Sequence, residues 1–337
     1  MLPPDHPPVA ASGTGVLLVN LGTPDAPTPA AVRRYLAEFL SDPRVVEIPP
    51  VIWRAILHGV ILRTRPAKSA HAYAQVWTDK GSPLAAVTAA QAEGLQVRLG
   101  EGVQVDWAMR YGNPSIPAKL EAMKAAGCDR ILIAPLYPQY SGATTASVMD
   151  ALGDALRAMR WQPAIRTLPP YHDDPAYIAA LEEDIAAQMA GLDFEPEVLL
   201  LSFHGMPERT LHLGDPYHCH CRKTARLLGE RLVQRLPGLR VETSFQSRFG
   251  RAKWLEPATE SVLENEAKAG TRRLAIAAPG FSADCVETLE ELAIRGREVF
   301  ESAGGERYTT LACLNDRAPG MAMMETLVRR ELTGWWP

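Results

Sequence analysis

The chain has 337 residues, of which 47% are apolar and 22% are charged, and this composition predicts a globular protein with a full hydrophobic core. The formal net charge of −4 and the scattered lysines and arginines argue against nucleic acid as the main partner. Residues 1–14 are rich in proline and lack the basic start and apolar core of a signal peptide. We therefore expect a flexible tail at residues 1–14 and a cytoplasmic protein.

The longest apolar stretch, residues 51–62, is interrupted by Arg54 and His58 and falls short of the ~20 residues that a membrane span needs. Its periodicity favours a helix packed on the core. The basic residues that follow, up to Lys68, support a second interpretation. In that interpretation residues 51–68 rest transiently on a membrane surface, and the protein is peripherally membrane-associated.

Short apolar runs recur along the chain, each ending in glycine, proline or polar residues and each followed by a helical pattern. These runs are GVLLVNLGTP, VQVDWAMRYGNP, RILIAPLYPQYSG, EVLLLSFHGMP, RVETSFQSRFG and RRLAIAAPGF. They predict successive βα units and hence a mostly parallel sheet that helices cover on both faces. The order of elements in residues 105–152 repeats in residues 241–292. We therefore predict two similar α/β lobes, residues 15–170 and 171–337, with the C-terminal helix able to pack back on the first lobe.

Ligands of such sheets bind beyond the carboxyl ends of the strands, where the exit loops of the two lobes meet. The residues of unusual type that follow the predicted strands are Asn20, Leu21, Arg110, Tyr111, Tyr137, Gln139, Tyr140, His204, Gln246, Ser247, Arg248, Asp284 and Glu287. No strand is followed by G-x-G-x-x-G, and neither the phosphate-binding loop G-x-x-x-x-G-K-[ST] nor H-E-x-x-H or G-x-S-x-G occurs. These absences argue against nucleotide-binding, zincin and hydrolase functions.

The segment PGFSADCVETLEEL, residues 279–292, carries four acids at the start of a predicted helix. Asp284 and Glu287 have the spacing of a capping box, and acids in a first turn also suit the helix dipole. Capping does not require Glu291, which forms an unfavourable like-charge pair with Glu287 four residues before it. His204 follows another apolar strand, at a position like that of Glu287 after the strand that precedes it. If His204 and Glu287 face one cleft, they suit transient handling of a divalent ion or proton transfer near neutral pH.

The five cysteines are scattered without a C-x-x-C pair, so we expect mostly free thiols. The compact group HCHC, His218 to Cys221, places alternate residues where they can present two thiols or two imidazoles to a metal. Zinc sites use wider spacings and a second pair of ligands, and no second pair is evident. The pattern therefore favours a local loop structure over a metal site.

Five longer segments together resemble the ferrochelatase family. They are LLVNLGTPD, YPQYSGATT, LLLSFHGMPERT with GDPYHCHC, FQSRFGRAKWLEP and PGFSADCVETLEEL, and they stand in the family's order from about residue 15 onward. The resemblance implies two Rossmann-like lobes with a porphyrin cleft between them. It also implies a lyase-type metal chelatase that inserts Fe²⁺ into protoporphyrin IX with release of two protons, the terminal step of heme biosynthesis.

The resemblance assigns roles to individual residues. It implies that His204 and Glu287 are the catalytic and metal-handling pair, with Asp284 and Glu291 on a path for protons or metal. The residues that match family positions lining the porphyrin pocket are Leu21, Arg110, Tyr111, Gln246, Ser247 and Trp254.

Two departures from the family pattern change these expectations. Many relatives have a histidine two residues before the site glutamate, where this chain has Cys285. Animal members continue into a cysteine-rich tail that holds an iron–sulfur cluster, whereas this chain has no cysteine after Cys313. We therefore expect no such cluster and no cofactor beyond the substrate iron. Two alternatives stay open, a chelatase for another tetrapyrrole or metal such as coproporphyrin III or cobalt, and a carrier without catalysis.

Overall fold

The computed structural model describes Asp5, residues 12–248, Gly250 and residues 252–336. Most of the predicted flexible tail, residues 1–4 and 6–11, lies outside the described residues.

Two four-stranded parallel sheets form the framework of the molecule. The strands of the first sheet are β1 (Gly13–Thr23), β2 (Val103–Gly112), β3 (Cys128–Pro135) and β4 (Ala164–Thr167), in the order β2-β1-β3-β4. The strands of the second are β5 (Val198–His204), β6 (Arg240–Gln246), β7 (Arg273–Ala277) and β8 (Arg307–Thr310), in the order β6-β5-β7-β8. All pairings are parallel, and the strand order is the same in both sheets. The predicted pair of similar α/β lobes is confirmed.

Helices cover these sheets, and their starts follow local sequence signals. The α-helices are α1 (Pro29–Phe39), α2 (Pro50–Ile56), α3 (Leu62–Val76), α4 (Pro83–Leu99), α5 (Ile116–Ala125), α6 (Ser147–Ala158), α7 (Pro175–Ala190), α8 (Glu208–His212), α9 (Tyr217–Arg235), α10 (Thr259–Lys268), α11 (Arg297–Ser302) and α12 (Ala318–Glu331). Three π-helical segments are Leu57–Ile61, Gly142–Ala146 and Glu287–Gly296. Thr28 and Asp174 cap α1 and α7 through their side-chain oxygens, and a proline follows each cap in the first turn.

One continuous core joins the two lobes. Leu18 of β1 and Leu201 of β5 belong to the same buried cluster, together with Leu327 of α12. Helix α12 packs against α4 and α7, and the main-chain carbonyl of Trp335 accepts a hydrogen bond from Thr14 of β1. The last helix therefore contacts elements from both halves of the chain, and burial of its apolar side chains contributes to holding the lobes together.

The apolar stretch at residues 51–62 is helical and packs on the core through only part of its surface. It forms α2, a π-helical turn and the start of α3, and Leu57 and Leu62 are its buried large side chains. Four others are exposed and form what we call the α2 patch: Val51 (86%), Ile52 (56%), Ile56 (38%) and Val60 (55%). The prediction of a core-packed helix therefore holds for the face that carries Leu57 and Leu62, which belong to a buried cluster, whereas the opposite face is open to solvent. Among the described residues, no helix is long and apolar enough to cross a membrane.

The HCHC group is also placed differently from the prediction. His218 to Cys221 lie in the first turn and a half of α9 rather than in a loop. Successive residues on a helix point about 100° apart. The two imidazoles consequently diverge, with His218 stacked on Phe245 and His220 stacked on His172. The five cysteines are free thiols.

Candidate active site

His204 is the last residue of β5, and its ring is held in one orientation. The six residues before it are fully buried, while His204 itself is half-buried at the carboxyl end of the sheet. Its Nδ1 lies 2.7 Å from the main-chain oxygen of Gly205. A carbonyl oxygen only accepts, so Nδ1 carries the hydrogen and Nε2 keeps a free lone pair. Nε2 is therefore available to bind a metal ion or to take up a proton.

Gln246 brings Glu287 to the same edge of the sheet. Gln246 ends β6 and is the register partner of His204. Its side chain is buried, accepts a hydrogen bond from Ser202 at 2.8 Å and donates one to the main-chain oxygen of Glu287 at 3.2 Å. A buried amide thus connects the end of β5 to the start of the helix that carries Glu287.

Glu287 opens a π-helix, and the predicted capping box is absent. The residue before the helix is Val286, and no side chain caps this end. Instead Oδ1 of Asp284 accepts hydrogen bonds from Thr288 Oγ1 (2.9 Å) and the Cys313 amide (3.2 Å), and Oδ2 accepts one from Asn315 (2.6 Å). The capping interpretation was wrong because two of these three partners, Cys313 and Asn315, are 29 and 31 residues away in the chain, where short-range spacing gives no signal.

These contacts change what an Asp284→Asn substitution should do. As a cap, asparagine would replace aspartate at little cost. In the observed network an amide nitrogen would face the donor groups of Asn315 or Thr288, so we expect the free energy of unfolding to fall by about 1–3 kcal/mol. Urea unfolding measures this, with the exposed neighbour Asp316→Asn as the matched control. Equal midpoints for the two variants would contradict this account of Asp284.

Cys285 and Tyr73 lie near Glu287, and of these two the sequence analysis connected only Cys285 to it. Burial, followed by the negative charge of Glu287, raises the pKa of the Cys285 thiol well above its ordinary value, so this thiol stays protonated. Burial and the same charge raise the pKa of Tyr73, which comes from α3 of the first lobe and lies within hydrogen-bond reach of Tyr35. Helix α3 packs against the π-helix. Tyr35 and Tyr73 were missed because no motif marks them and their proximity to Glu287 arises only when the lobes meet.

The other two acids of the segment have separate partners. Glu290 pairs with Arg295, at 3.1 Å between Oε1 and Nε. Glu291 accepts hydrogen bonds from the amide and the hydroxyl of Ser247, each at 2.6 Å. Burial raises the pKa of Glu291, against the opposing effect of these hydrogen bonds. Glu291 thus joins the π-helix to the loop that follows β6.

Leu21 and Trp254 lie beside the pair formed by His204 and Glu287. Leu21 follows the buried part of β1 and packs with Ala283 and Cys285, next to the start of the π-helix. The Trp254 ring lies against Gly205, so a Cβ at Gly205 would approach its Cε3 within 3.3 Å. Leu21 and Trp254 are thus apolar neighbours of the site, as a porphyrin pocket requires.

Arg110 and Tyr111 belong to a hydrogen-bonded network inside the first lobe. Arg110 donates to Asp42 at 2.6 Å and to Ser147, and the fully buried Tyr111 hydroxyl contacts the same two residues. Burial raises the pKa of Asp42, but hydrogen bonds from Ser147, Arg44 and Tyr111 and the charge of Arg110 outweigh it and leave the pKa below its ordinary value. The Arg110 charge is therefore already compensated by Asp42.

The aromatic residues near these strand ends differ in burial. Phe203 and Phe245 are buried in the core that joins the lobes. Phe281 is half-buried, and its ring centroid lies 6.4 Å from that of His204. Within the described part of the chain, no group of three or more histidines, cysteines, aspartates or glutamates is arranged to hold a metal. His204 and Glu287 therefore form a sparse pair in this part of the molecule.

Comparison with solved structures defines the class of protein. The structure of SirB from Bacillus subtilis with Fe³⁺ matches with a TM-score of 0.55, at 14% identity and 95% coverage of both chains. The sirohydrochlorin chelatase SirB in complex with cobalt matches with a TM-score of 0.55, at 12% identity and the same coverage. At these identities the likeness concerns the fold alone. The two lobes thus share the fold of these solved structures.

Sequence comparison identifies the family within that class. The ferrochelatase family model matches residues 13–332. The ferrochelatase of Allorhizobium ampelinum is 52% identical over 99% of this chain and 98% of its own length, and that of Rhizobium meliloti is 51% identical over 98% of both. The ferrochelatase of a Polaromonas species is 54% identical over 98% of this chain and 90% of its own length. The chain belongs to the ferrochelatase family. It is a metal chelatase that inserts ferrous iron into a porphyrin for heme synthesis.

Proposed function

We propose that the porphyrin is protoporphyrin IX and that His204 and Glu287 act together on the centre of its ring. The observation that carries this proposal is the orientation of His204, whose Nδ1–H is bound to Gly205 and whose Nε2 is left free beside the Gln246–Glu287 contact. An imidazole and a carboxylate at one strand edge provide a proton acceptor and a metal-attracting anion.

Insertion of Fe²⁺ replaces two N–H protons of the macrocycle, and the ring must bend so that the pyrrole lone pairs become accessible. In our proposal Nε2 of His204 takes up one pyrrole proton as iron enters and passes it to solvent water, the second pyrrole proton leaves to solvent by the same route, and the Glu287 carboxylate attracts the incoming cation. The hydrogen bond from Nδ1 to Gly205 steadies the imidazolium that forms. Pocket walls that fit the bent ring better than the flat ring lower the barrier, because they bind the transition state more tightly than the substrate.

The surrounding residues support this pair in different ways. Leu21 and Trp254 offer apolar contact to the macrocycle, and Gln246 and Ser247 shape the edge between β6 and the π-helix. Arg110 and Tyr111 act indirectly, because their network with Asp42 fixes the end of β2. We still place Asp284 and Glu291 near the path for protons or metal. Their hydrogen bonds with Asn315 and Ser247 support a positioning role for both residues.

The choice of porphyrin is tested by an anaerobic insertion assay of the purified protein. We expect faster turnover of Fe²⁺ with protoporphyrin IX than with coproporphyrin III, and faster turnover of Fe²⁺ than of Co²⁺. Preference for coproporphyrin III would overturn the substrate proposal while leaving the family assignment intact.

We also propose that the protein works in the cytoplasm and contacts a membrane surface transiently through the α2 patch. The exposed side chains of Val51, Ile52, Ile56 and Val60 form an apolar surface, and the exposed Arg54, Arg63 and Lys68 flank it. Apolar side chains beside basic ones suit the boundary of an anionic bilayer. The same segment continues into α3, which carries Tyr73 towards Glu287. An apolar porphyrin dissolved in the bilayer would therefore meet the protein on the side of the cleft.

A Val51→Glu substitution should weaken binding to vesicles of phosphatidylglycerol and phosphatidylethanolamine by about 10-fold, because it removes the burial of one valine side chain in lipid. Co-sedimentation with the vesicles measures this. Val97→Glu is the matched control, since Val97 is 82% exposed on α4 and the charge change is the same. Equal loss of binding in both variants would point to charge alone and contradict the assignment of the patch.

That the protein holds no iron–sulfur cluster stays a prediction. Iron and sulfide analysis of the purified protein tests it, and stoichiometric sulfide would contradict it.

A further inference from the structure

Ser247 has an unusual backbone conformation next to the site. Its φ is +63°, in the left-handed region that residues other than glycine seldom adopt. Among the described residues other than glycine, only Ser247 and Asn315 have positive φ. Each of the two is hydrogen-bonded to an acid of the 279–292 segment, Ser247 to Glu291 and Asn315 to Asp284. A strained residue persists where its surroundings hold it in place, and such residues concentrate at functional sites.

Residues 253–255 lie alongside the residues that follow β5. The Glu208 amide donates to the main-chain oxygen of Lys253 at 2.9 Å, and the Leu255 amide donates to that of Met206 at 2.9 Å. Trp254, in the middle of this segment, lies against Gly205. The oxygen of Gly205 accepts the hydrogen bond from His204 Nδ1. A direct main-chain link also exists, because the Gly205 amide donates to the oxygen of Gln246, the residue before Ser247, at 2.7 Å. Ser247 is thus connected to the His204 ring through Gln246 and Gly205.

Both carboxylate oxygens of Glu291 accept hydrogen bonds from the turn at Ser247. Oε1 accepts from the Ser247 amide and Oε2 from the Ser247 hydroxyl, each at 2.6 Å. The side chain of Glu291 is only 16% exposed, and Oε2 lies 3.7 Å from Arg295. A carboxylate held by two short hydrogen bonds is poorly placed to pick up and release protons or iron on each turnover.

We propose that Glu291 is a positioning residue, whose carboxylate holds the left-handed turn at Ser247 and thereby keeps His204 aimed at the ring centre, instead of carrying protons or iron. This inference rests on the proposed role of His204. In this proposal Glu291 holds a backbone conformation, and Glu287 is the acid that contacts the substrate.

Two substitutions at Glu291 separate the roles. Glu291→Gln keeps an oxygen that accepts from the Ser247 amide and gains an N–H that donates to the Ser247 hydroxyl, so the turn is held while the charge is lost. Glu291→Ala loses both contacts. We expect kcat to stay within about 3-fold of wild type for Glu291→Gln and to fall by about 10-fold or more for Glu291→Ala, with KM for iron little changed in either. Equal, large losses of kcat in both variants would overturn the proposal.

A glycine at position 247 supplies the second test. Glycine adopts positive φ freely, so a turn made by glycine no longer needs Glu291 to hold it. Ser247→Gly will itself alter activity, and the quantity of interest is the further effect of Glu291→Ala in that background. We expect this further loss of kcat to shrink to less than about 3-fold, whereas a carrier of protons or iron would be needed equally in both backgrounds. An undiminished loss would overturn the proposal.

Limited trypsin cleavage within residues 247–253, located by mass spectrometry, gives a readout that does not depend on turnover. Cleavage should be faster in Glu291→Ala than in wild type and should stay slow in Glu291→Gln, with Glu290→Ala as the matched control. If Glu291→Ala is insoluble, the Ser247→Gly/Glu291→Ala variant should recover soluble, active enzyme, and failure to recover it would overturn the proposal. Wild-type turnover and the His204→Ala variant in the same assay report separately on the proposed function.

Discussion

Replacing His204 by alanine is expected to lower the rate of iron insertion by at least about 10³-fold, within the range for loss of a positioned acid–base group. The reason is that Nε2 is the free atom of a ring whose Nδ1 is already bound to Gly205. Porphyrin binding should persist, because the apolar walls hold the periphery of the macrocycle and His204 acts on its centre. Anaerobic turnover and quenching of porphyrin fluorescence measure the two effects separately.

The control for this substitution is His212→Ala, an exposed histidine on α8. It should leave both turnover and porphyrin binding near the wild-type values. Near-normal turnover in His204→Ala would remove this residue from the mechanism. Loss of porphyrin binding together with turnover would instead show that His204 holds the substrate and does not act on its nitrogen atoms.

Replacing Glu287 by glutamine should lower turnover by at least about 10²-fold, because the amide keeps the size of the side chain but removes the charge that attracts iron. Stability should change by less than about 1 kcal/mol, since Glu287 does not cap its helix and its main-chain oxygen still accepts from Gln246. Relief of the repulsion between Glu287 and Glu291 can raise stability by a few tenths of a kcal/mol. Thermal melts and anaerobic assays on the same preparations measure both quantities.

Glu290→Gln on the same helix is the matched control. Glu290 pairs with the half-exposed Arg295, so losing this ion pair should scarcely affect turnover and should cost no more than about 1 kcal/mol of stability. The assignment would be contradicted by the reverse pattern, in which Glu287→Gln unfolds the protein while its specific activity stays normal.

The fold was predictable because the central strands β1, β3, β5 and β7 each contain a continuous apolar run. Val16 to Val19 of β1 are completely buried, as expected for a parallel strand covered on both faces. The repeat of the element order predicted two similar lobes, and the carboxyl ends of β5 and β6 lie together in the sheet, as the βα pattern requires. Local patterns thus predicted that His204 and Gln246 lie together at the carboxyl ends of β5 and β6.

The parts that could not be predicted depend on contacts between distant residues. The Glu287–Gly296 helix is a π-helix, and apolar periodicity does not distinguish it from an α-helix of similar length. Asp284 looked like a cap because its partner Asn315 lies 31 residues away. Tyr73 reaches the surroundings of Glu287 from the other lobe, and the turn at Ser247 needs a hydrogen bond to a residue 44 positions further on.

We expect His204 and Glu287 to act in the same step, the insertion of iron, and a double-mutant cycle tests this most directly. The insertion rates of His204→Ala, Glu287→Gln and the double variant would be measured anaerobically with saturating porphyrin. If the two residues act as a unit, the double variant should be no slower than the slower single variant, because the first loss already removes the step that the second residue serves. Multiplication of the two single effects in the double variant would show that the residues act independently and would contradict a shared site.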